Sequence, residues 1–271
     1  TPSFLTALPG CSVQKAPQAA EASPQRTPEY EKLTTLRSPF VMMSTTPVAA
    51  RQKAASSRIE TGLRVVAAIQ PITKSGPVMT MMAAVAATGG EVLIKNIIPK
   101  HLDCITAKLR EMGARVTEYD DSIRVESTKR LRRANVKTLP YPGFPTDMQP
   151  QITVCLATAV GTSLVTEGVY DNRFRYTAEL GRMGANIQVE GKTAIIDGVQ
   201  TLHGCEVRAC DLRAGAAMVI AAMCAEGMTL IEDAHFIERG YEDIVGKLTA
   251  LGAHIRRIET YETPSVSEDA G

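Results

Sequence analysis

Leu109-Arg110-Glu111-Met112-Gly113-Ala114 returns twice along this chain, as Leu180-Gly181-Arg182-Met183-Gly184-Ala185 and as Leu248-Thr249-Ala250-Leu251-Gly252-Ala253. The three glycines, Gly113, Gly184 and Gly252, are almost evenly spaced. Another glycine precedes each at nearly the same distance: Gly90 before Glu-Val-Leu-Ile, Gly161 before Thr-Ser-Leu-Val and Gly227 before Met-Thr-Leu-Ile. Two anchors in near register three times define an internal repeat of about 70 residues.

Each unit reads alike. An Ala/Met/Val-rich helix runs to the first glycine. A short strand follows, at Val92–Lys95, Ser163–Thr166 and Thr229–Glu232. A second helix covers Leu102–Met112, Tyr176–Met183 and Ile244–Leu251, and its closing glycine stands where a left-handed residue ends a helix. Units one and two continue into hairpins, Arg115–Glu118 with Ile123–Glu126 and Ile187–Glu190 with Thr193–Ile196. Unit three offers His254–Glu259 alone, so its hairpin is expected to be incomplete, with Tyr261–Gly271 a polar, frayed tail. The order αβαββ, with room for one more strand before each leading helix, makes the fold class α/β (α+β).

Unit one departs from this spacing. The leading helices of units two and three start near Asp147 and Asp211, at similar distances before Gly161 and Gly227. The equivalent acid in unit one, Glu60, stands far further ahead of Gly90. The surplus points to an insertion at 63–78, because Pro71 and Gly76-Pro77 do not belong inside one regular helix. Residues 1–57 have another texture again: seven Pro, six basic residues against three acidic, and no sustained period. They are expected to be a disordered leader, with an organellar transit peptide or foreign sequence as the other readings. The repeats then occupy 58–260 and the tail 261–271.

The chain of 271 residues carries 30 Lys and Arg against 29 Asp and Glu, a net charge of +1, which removes the electrostatic basis for a general nucleic-acid or membrane-surface binder. Six dispersed cysteines without a CxxC pair, beside four histidines, read as reduced thiols rather than a zinc module. No apolar run reaches the roughly 20 residues a membrane span needs.

Chemistry concentrates where strands hand over to helices. Phe144-Pro145-Thr146-Asp147-Met148-Gln149 and Cys210-Asp211-Leu212-Arg213-Ala214 each put an Asp at the start of an apolar helix. Spacing alone reads both as N-caps. Arg213 opposes the helix dipole there, yet with free N–H groups it suits an anion. The loops Glu167–Arg173 and Ile237–Glu242 bring Arg173 and Arg239, which either join Arg213 on a phosphate or carboxylate or serve as solvated surface ion pairs. Lys129-Arg130-Leu131-Arg132-Arg133 reads as a solvated turn, with a phosphate or nucleic-acid patch as the alternative.

Four of these segments, Phe-Pro-Thr-Asp-Met-Gln (144–149), Glu-Gly-Val-Tyr-Asp-Asn-Arg (167–173), Asp-Leu-Arg-Ala (211–214) and Glu-Arg-Gly-Tyr-Glu (238–242), stand in the order found in UDP-N-acetylglucosamine 1-carboxyvinyltransferases. Arg58–Gly62 and Thr80–Glu259 resemble the C-terminal half of that enolpyruvyl transferase family. The resemblance implies an inverse α/β prism of three βαβαββ repeats, helices inside and sheets outside, as one of two such domains. It implies transfer of the enolpyruvyl group of phosphoenolpyruvate to the 3-hydroxyl of UDP-N-acetylglucosamine. That is the first committed step of peptidoglycan synthesis, which underlies cell wall biogenesis, cell shape and cell division.

By the same resemblance Asp147 contacts the attacking hydroxyl and serves as general base. Val169 touches the UDP-sugar, expected through its backbone, and Arg173, Arg213 and Arg239 hold phosphoenolpyruvate and offset developing charge. No cofactor, metal, nucleic acid or membrane is implied, and the family's setting is cytoplasmic, with a plastid as the alternative if the leader is a transit peptide. The family's other domain supplies a Lys-Asn pair, further Arg contacts and a mobile loop with a catalytic Cys, and the surroundings of Cys11 do not match that loop. This chain alone is therefore expected to be inactive, either half of an enzyme completed by a separate N-terminal domain or a UDP-sugar-binding or truncated fragment. The family's first strand, which its N-terminus contributes to this domain, finds no match either, and an unpaired sheet edge is expected.

Overall fold

A computed structural model describes residues 3–5, 35–36, 40–45, 75–258 and 261–262. Three short strands come first: β1 (Ser3–Leu5), β2 (Thr35–Leu36) and β3 (Phe40–Thr45). Unit one follows as α1 (Ser75–Thr88), β4 (Gly90–Lys95), a 3-10 turn at Pro99–Leu102, α2 (Asp103–Glu111), β5 (Arg115–Glu118) and β6 (Ser122–Ser127). Unit two is β7 (Val136–Lys137), a 3-10 turn at Thr146–Met148, α3 (Gln149–Ala157), β8 (Thr162–Thr166), α4 (Thr177–Arg182), β9 (Asn186–Glu190) and β10 (Thr193–Asp197). Unit three is β11 (Leu202–His203), β12 (Glu206–Arg208), α5 (Leu212–Cys224), β13 (Ala225–Glu232), α6 (His235–Glu238), α7 (Ile244–Ala250) and β14 (Ile255–Ile258), before β15 (Tyr261–Glu262).

The recurring Leu-x-x-[Met/Leu]-Gly-Ala segment is a helix stop repeated three times. Gly113, Gly184 and Gly252 have φ of +100°, +91° and +89°, a region that a Cβ makes costly. The alanine after each glycine donates back to the leucine, Ala114 to Leu109 at 2.9 Å, Ala185 to Leu180 at 3.0 Å and Ala253 to Leu248 at 2.9 Å. Each glycine N–H bonds the carbonyl three residues back. Together these are the two bonds of a Schellman motif. The leucines are buried, so the same residue that ends the helix also anchors it.

Helices α1, α3 and α5 lead the three units and pack on one another in the interior. All nine residues of α3 are buried, as are Ala214–Cys224 of α5. A helix buried all round has no solvent face, and the Ala content of α1 and α5 lets their backbones approach. The sheets lie outside. Unit one has the order β4-β6-β5 and unit two β7-β8-β10-β9, with β7 parallel to β8 as the strand ahead of the leading helix. In unit three β12 takes that parallel place beside β13.

The centre of the third sheet corrects several expectations. Strand β3 lies between β13 and β14, antiparallel to both, with Met42 opposite Leu230 on one side and Arg256 on the other. This is the place that β6 and β10 fill in their own units. The hairpin that unit three lacks is therefore completed by a segment far upstream, and the expected unpaired edge is occupied. Ser3–Leu5, Thr35–Leu36 and Phe40–Thr45 all fall within the stretch 1–57 expected to be disordered, and all three are paired strands. In the expected frayed tail, Tyr261–Glu262 pairs with Thr35–Leu36.

Of the insertion expected at 63–78, residues 63–74 lie outside the described residues, as do Arg58–Gly62 and Glu60. Ser75–Val78 form the first turn of α1, where Pro77 blocks no intrahelical bond. The basic cluster is also more than a solvated turn. Leu131 is buried, and the Arg130 guanidinium donates to the carbonyls of Thr158 (2.8 Å), Ala159 (3.0 Å), Gly198 (3.2 Å) and Val199 (2.6 Å). It gathers carbonyls that follow α3 and β10 and that no helical donor reaches.

Candidate functional site

Helices α3 and α5 start in different ways, and the difference builds the site. Asp211 has an extended backbone at the N-cap of α5, and its Oδ1 accepts from the Arg213 and Ala214 N–H groups at 2.7 and 2.9 Å. That is capping as the sequence predicts. Asp147 sits one step earlier, inside the 3-10 turn that precedes α3, and makes no cap bond. Its Oδ2 accepts from Arg213 Nη2 at 2.8 Å, and its Oδ1 accepts from Arg173 Nη2 at 3.1 Å. One carboxylate thus joins two units, with Asp147 and Arg173 from unit two and Arg213 from unit three.

Each arginine keeps free donors for a further anion. The Asp147 carboxylate holds the Arg213 guanidinium above its ordinary pKa, against partial burial. Arg173 stacks over Tyr170, with its guanidinium carbon 5.3 Å from the ring centroid. Its Nε is buried without a partner among the described residues. The ion pairs are only partly shielded, so solvent reaches them.

Beneath the pair lies a carboxylate whose role sequence reasoning missed. Glu167 is 1 % exposed. Its Oε1 accepts from the N–H groups of Val169 (2.9 Å) and Tyr170 (3.1 Å), and its Oε2 accepts from Thr146 Oγ1 (3.0 Å). Val169 is exposed, with its N–H bonded to Glu167 and its side chain and carbonyl left for a backbone or side-chain contact. Leu139, Tyr141 and Tyr170 are exposed as well.

Arg239 does not join the cluster. It is exposed, its backbone N–H bonds Ile237 O at the end of α6, and its side chain makes no hydrogen bond or ion pair among the described residues. Its neighbours do tie the loop down. Gly240 packs against Leu212 at the start of α5, and the buried Tyr241 hydroxyl shares a 2.7 Å hydrogen bond with Thr80 of α1. Gln151 of α3 donates to the same Thr80 oxygen at 3.3 Å, so all three units meet at one buried polar knot. Burial pushes the Tyr241 phenol up.

Cys104, Cys155, Cys205, Cys210 and Cys224 form no disulfide among the described residues. Burial raises the first four, the reverse of what activates a nucleophile or acid at neutral pH. Cys11 lies outside the described residues. Among the described residues no three His, Cys, Asp or Glu side chains are placed to hold a metal, and no helix is long and apolar enough to cross a membrane.

Sheets wrapped around buried leading helices are the fold of the enolpyruvyl transferases. The crystal structure of the enolpyruvyl transferase NikO from Streptomyces tendae superposes with a TM-score of 0.65 at 29 % identity, over 70 % of this chain and 45 % of that one. EPSP synthase from Acinetobacter baumannii shares the fold, with a TM-score of 0.56 at 17 % identity. The chain belongs to the EPSP synthase (3-phosphoshikimate 1-carboxyvinyltransferase) family, whose sequence profile matches residues 77–248. Within that family it is 58 % identical over 179 residues to UDP-N-acetylglucosamine 1-carboxyvinyltransferase 3 of Caldanaerobacter subterraneus subsp. tengcongensis, covering 66 % of this chain and 43 % of the relative. It is 48 % identical over 191 residues to the enzyme of that name from Desulfofundulus thermocisternus, covering 70 % and 79 %. The chain thus spans under half the length of some curated relatives.

Proposed function

We propose that this chain is one half of a UDP-N-acetylglucosamine 1-carboxyvinyltransferase, acting with a complementary domain that closes over its helix starts. The carrying observation is Asp147 held between Arg173 and Arg213. A general base needs a carboxylate at the attacking hydroxyl, and an anionic co-substrate needs cations at the same spot. Here each arginine commits one fork nitrogen to Asp147 and keeps the rest of its fork for the phosphate and carboxylate of phosphoenolpyruvate.

Asp147 takes the proton of the sugar 3-hydroxyl as its oxygen bonds to C2 of the enolpyruvyl group, while C3 gains a proton from the complementary half. Return of a C3 proton to the complementary half and cleavage of the bond between C2 and the phosphate oxygen then release inorganic phosphate, which takes up the proton held by Asp147, and leave the enolpyruvyl ether. Arg239, unpaired and beside the start of α5, joins the anion once the cleft closes, and Val169 borders the UDP-sugar through its side chain and carbonyl. The setting is the cytoplasm and the step that of peptidoglycan synthesis.

The test is phosphate release from UDP-N-acetylglucosamine and phosphoenolpyruvate, with and without the N-terminal domain of a complete relative. Turnover is expected only in the mixture and only with Asp147 present. Folded protein that stays silent in both would overturn the catalytic reading and leave a sugar-binding fragment.

A further inference from the structure

We propose that Glu167 is the positioning residue that sets Asp147 against Arg173, a role resting on the reading of Asp147 as the general base. The two partners come from separate segments, the turn at Thr146–Met148 and the loop after β8. Glu167 is the joint between them. One carboxylate oxygen grips the loop through two backbone N–H groups, and the other takes the hydroxyl of Thr146, the residue before Asp147. The joint is itself fixed, because the Glu167 N–H bonds Lys192 O at 2.8 Å at the hairpin end and Gly168 N–H bonds Thr138 Oγ1 at 2.8 Å. A buried carboxylate with three donors has no freedom to shift without leaving one of them unpaired, so the loop and the turn move as one body. The base is thereby held in a fixed place relative to the arginine that faces the anion.

Glu167→Ala removes the joint. Glu167→Gln keeps it, because the amide oxygen still accepts from both N–H groups and the amide nitrogen can donate to Thr146 Oγ1. The complemented mixture is assayed with wild type, E167A, E167Q and Thr146→Val, alongside Arg130→Ala, which lowers stability at a distance from the site. The expected result is a loss of about 100-fold in kcat for E167A, with KM changed by less than about threefold, since a displacement near 1 Å costs that much. T146V loses less, and the E167A/T146V double variant loses no more than E167A alone. E167Q and R130A stay within about threefold of wild type.

A second readout needs no turnover: the side-chain N–H resonance of Arg173 should move in E167A as it does in Asp147→Asn, and stay in place in E167Q. Turnover of E167A like wild type, an equal loss in E167Q, an equal loss in R130A, or an unmoved Arg173 signal in E167A each overturns the proposal. If the wild-type mixture itself gives no turnover, the enzymatic reading fails, and the Arg173 resonance alone decides whether Glu167 positions Asp147.

Discussion

Units two and three are built to one plan and finished differently. In unit two an acid before the leading helix leaves its own backbone alone and binds two arginines; in unit three the corresponding acid, Asp211, caps its own helix. Unit two closes its sheet with its own strand β10, whereas unit three borrows β3 from far upstream. The repeat therefore fixes the frame, and small offsets within it decide which residue is free for chemistry. Asp147 lies slightly nearer to Gly161 along the chain than Asp211 does to Gly227. Asp147 lies inside a 3-10 turn, where its carboxylate makes no cap bond and goes to the two arginines instead.

The largest effect should separate the two acids. Asp147→Ala should lower turnover in the complemented mixture by about 10³-fold, in the range of a lost general base. Asp211→Ala should leave it within about tenfold of wild type, since Asp211 acts on activity only through the first turn of α5. Phosphate release measured side by side checks this. Equal losses in both would erase the distinction between the two helix starts.

A second contrast sets the borrowed strand against the native one. Met42 and Ile195 occupy matching central positions, each paired on both sides. Proline at either removes a ladder donor and orphans a carbonyl, at a cost of about 2–3 kcal/mol. Met42→Pro and Ile195→Pro should lower the denaturation midpoint by similar amounts. If Met42→Pro leaves stability unchanged, β3 is an ornament on the sheet and unit three stands without it.

A narrower contrast lies inside unit two's loop. Asp171, exposed on that loop, pairs with Lys192 at 2.7 Å, and the pairing lowers the Asp171 pKa. A carboxylate lowered on folding adds stability above its unfolded value, near 3.9, and loses it as pH falls through the folded one. Asp171→Asn should therefore change stability slightly at neutral pH and not at all at the acid end. A pH series of melting curves shows whether the loop that carries Arg173 depends on this surface pair.

How much of this was written in the sequence follows the range of the interactions. The helix stops at Gly113, Gly184 and Gly252 were legible because φ at a glycine and a bond five residues back are local facts. The cap at Asp211 was legible for the same reason. The pairing of Asp147 with Arg213 spans 66 residues, and only the family resemblance put those two in one cleft. Glu167 was hidden because a charged residue after a strand reads as surface, and its burial depends on donors from Val169, Tyr170 and Thr146 that only the fold assembles. Strand β3 was missed because Phe40-Val41-Met42-Met43 is a brief apolar run without alternation amid Pro, Ser and Thr.

The most local of the expected effects tests the cap itself. Asp211→Ala removes the acceptor of two N–H groups at the start of α5 and should cost about 1 kcal/mol in chemical denaturation, the usual worth of an N-cap. Asp211→Asn keeps an acceptor oxygen and should recover most of that. The loss stays local because Ala214–Cys224 are buried and packing, rather than the cap, holds the helix. What frays is the turn bearing Arg213, so amide exchange at Arg213 and Ala214 should quicken in D211A while the rest of α5 is unchanged. If neither amide responds, Asp147 alone keeps Arg213 in place, and the two acids then share a single task at the site instead of dividing it.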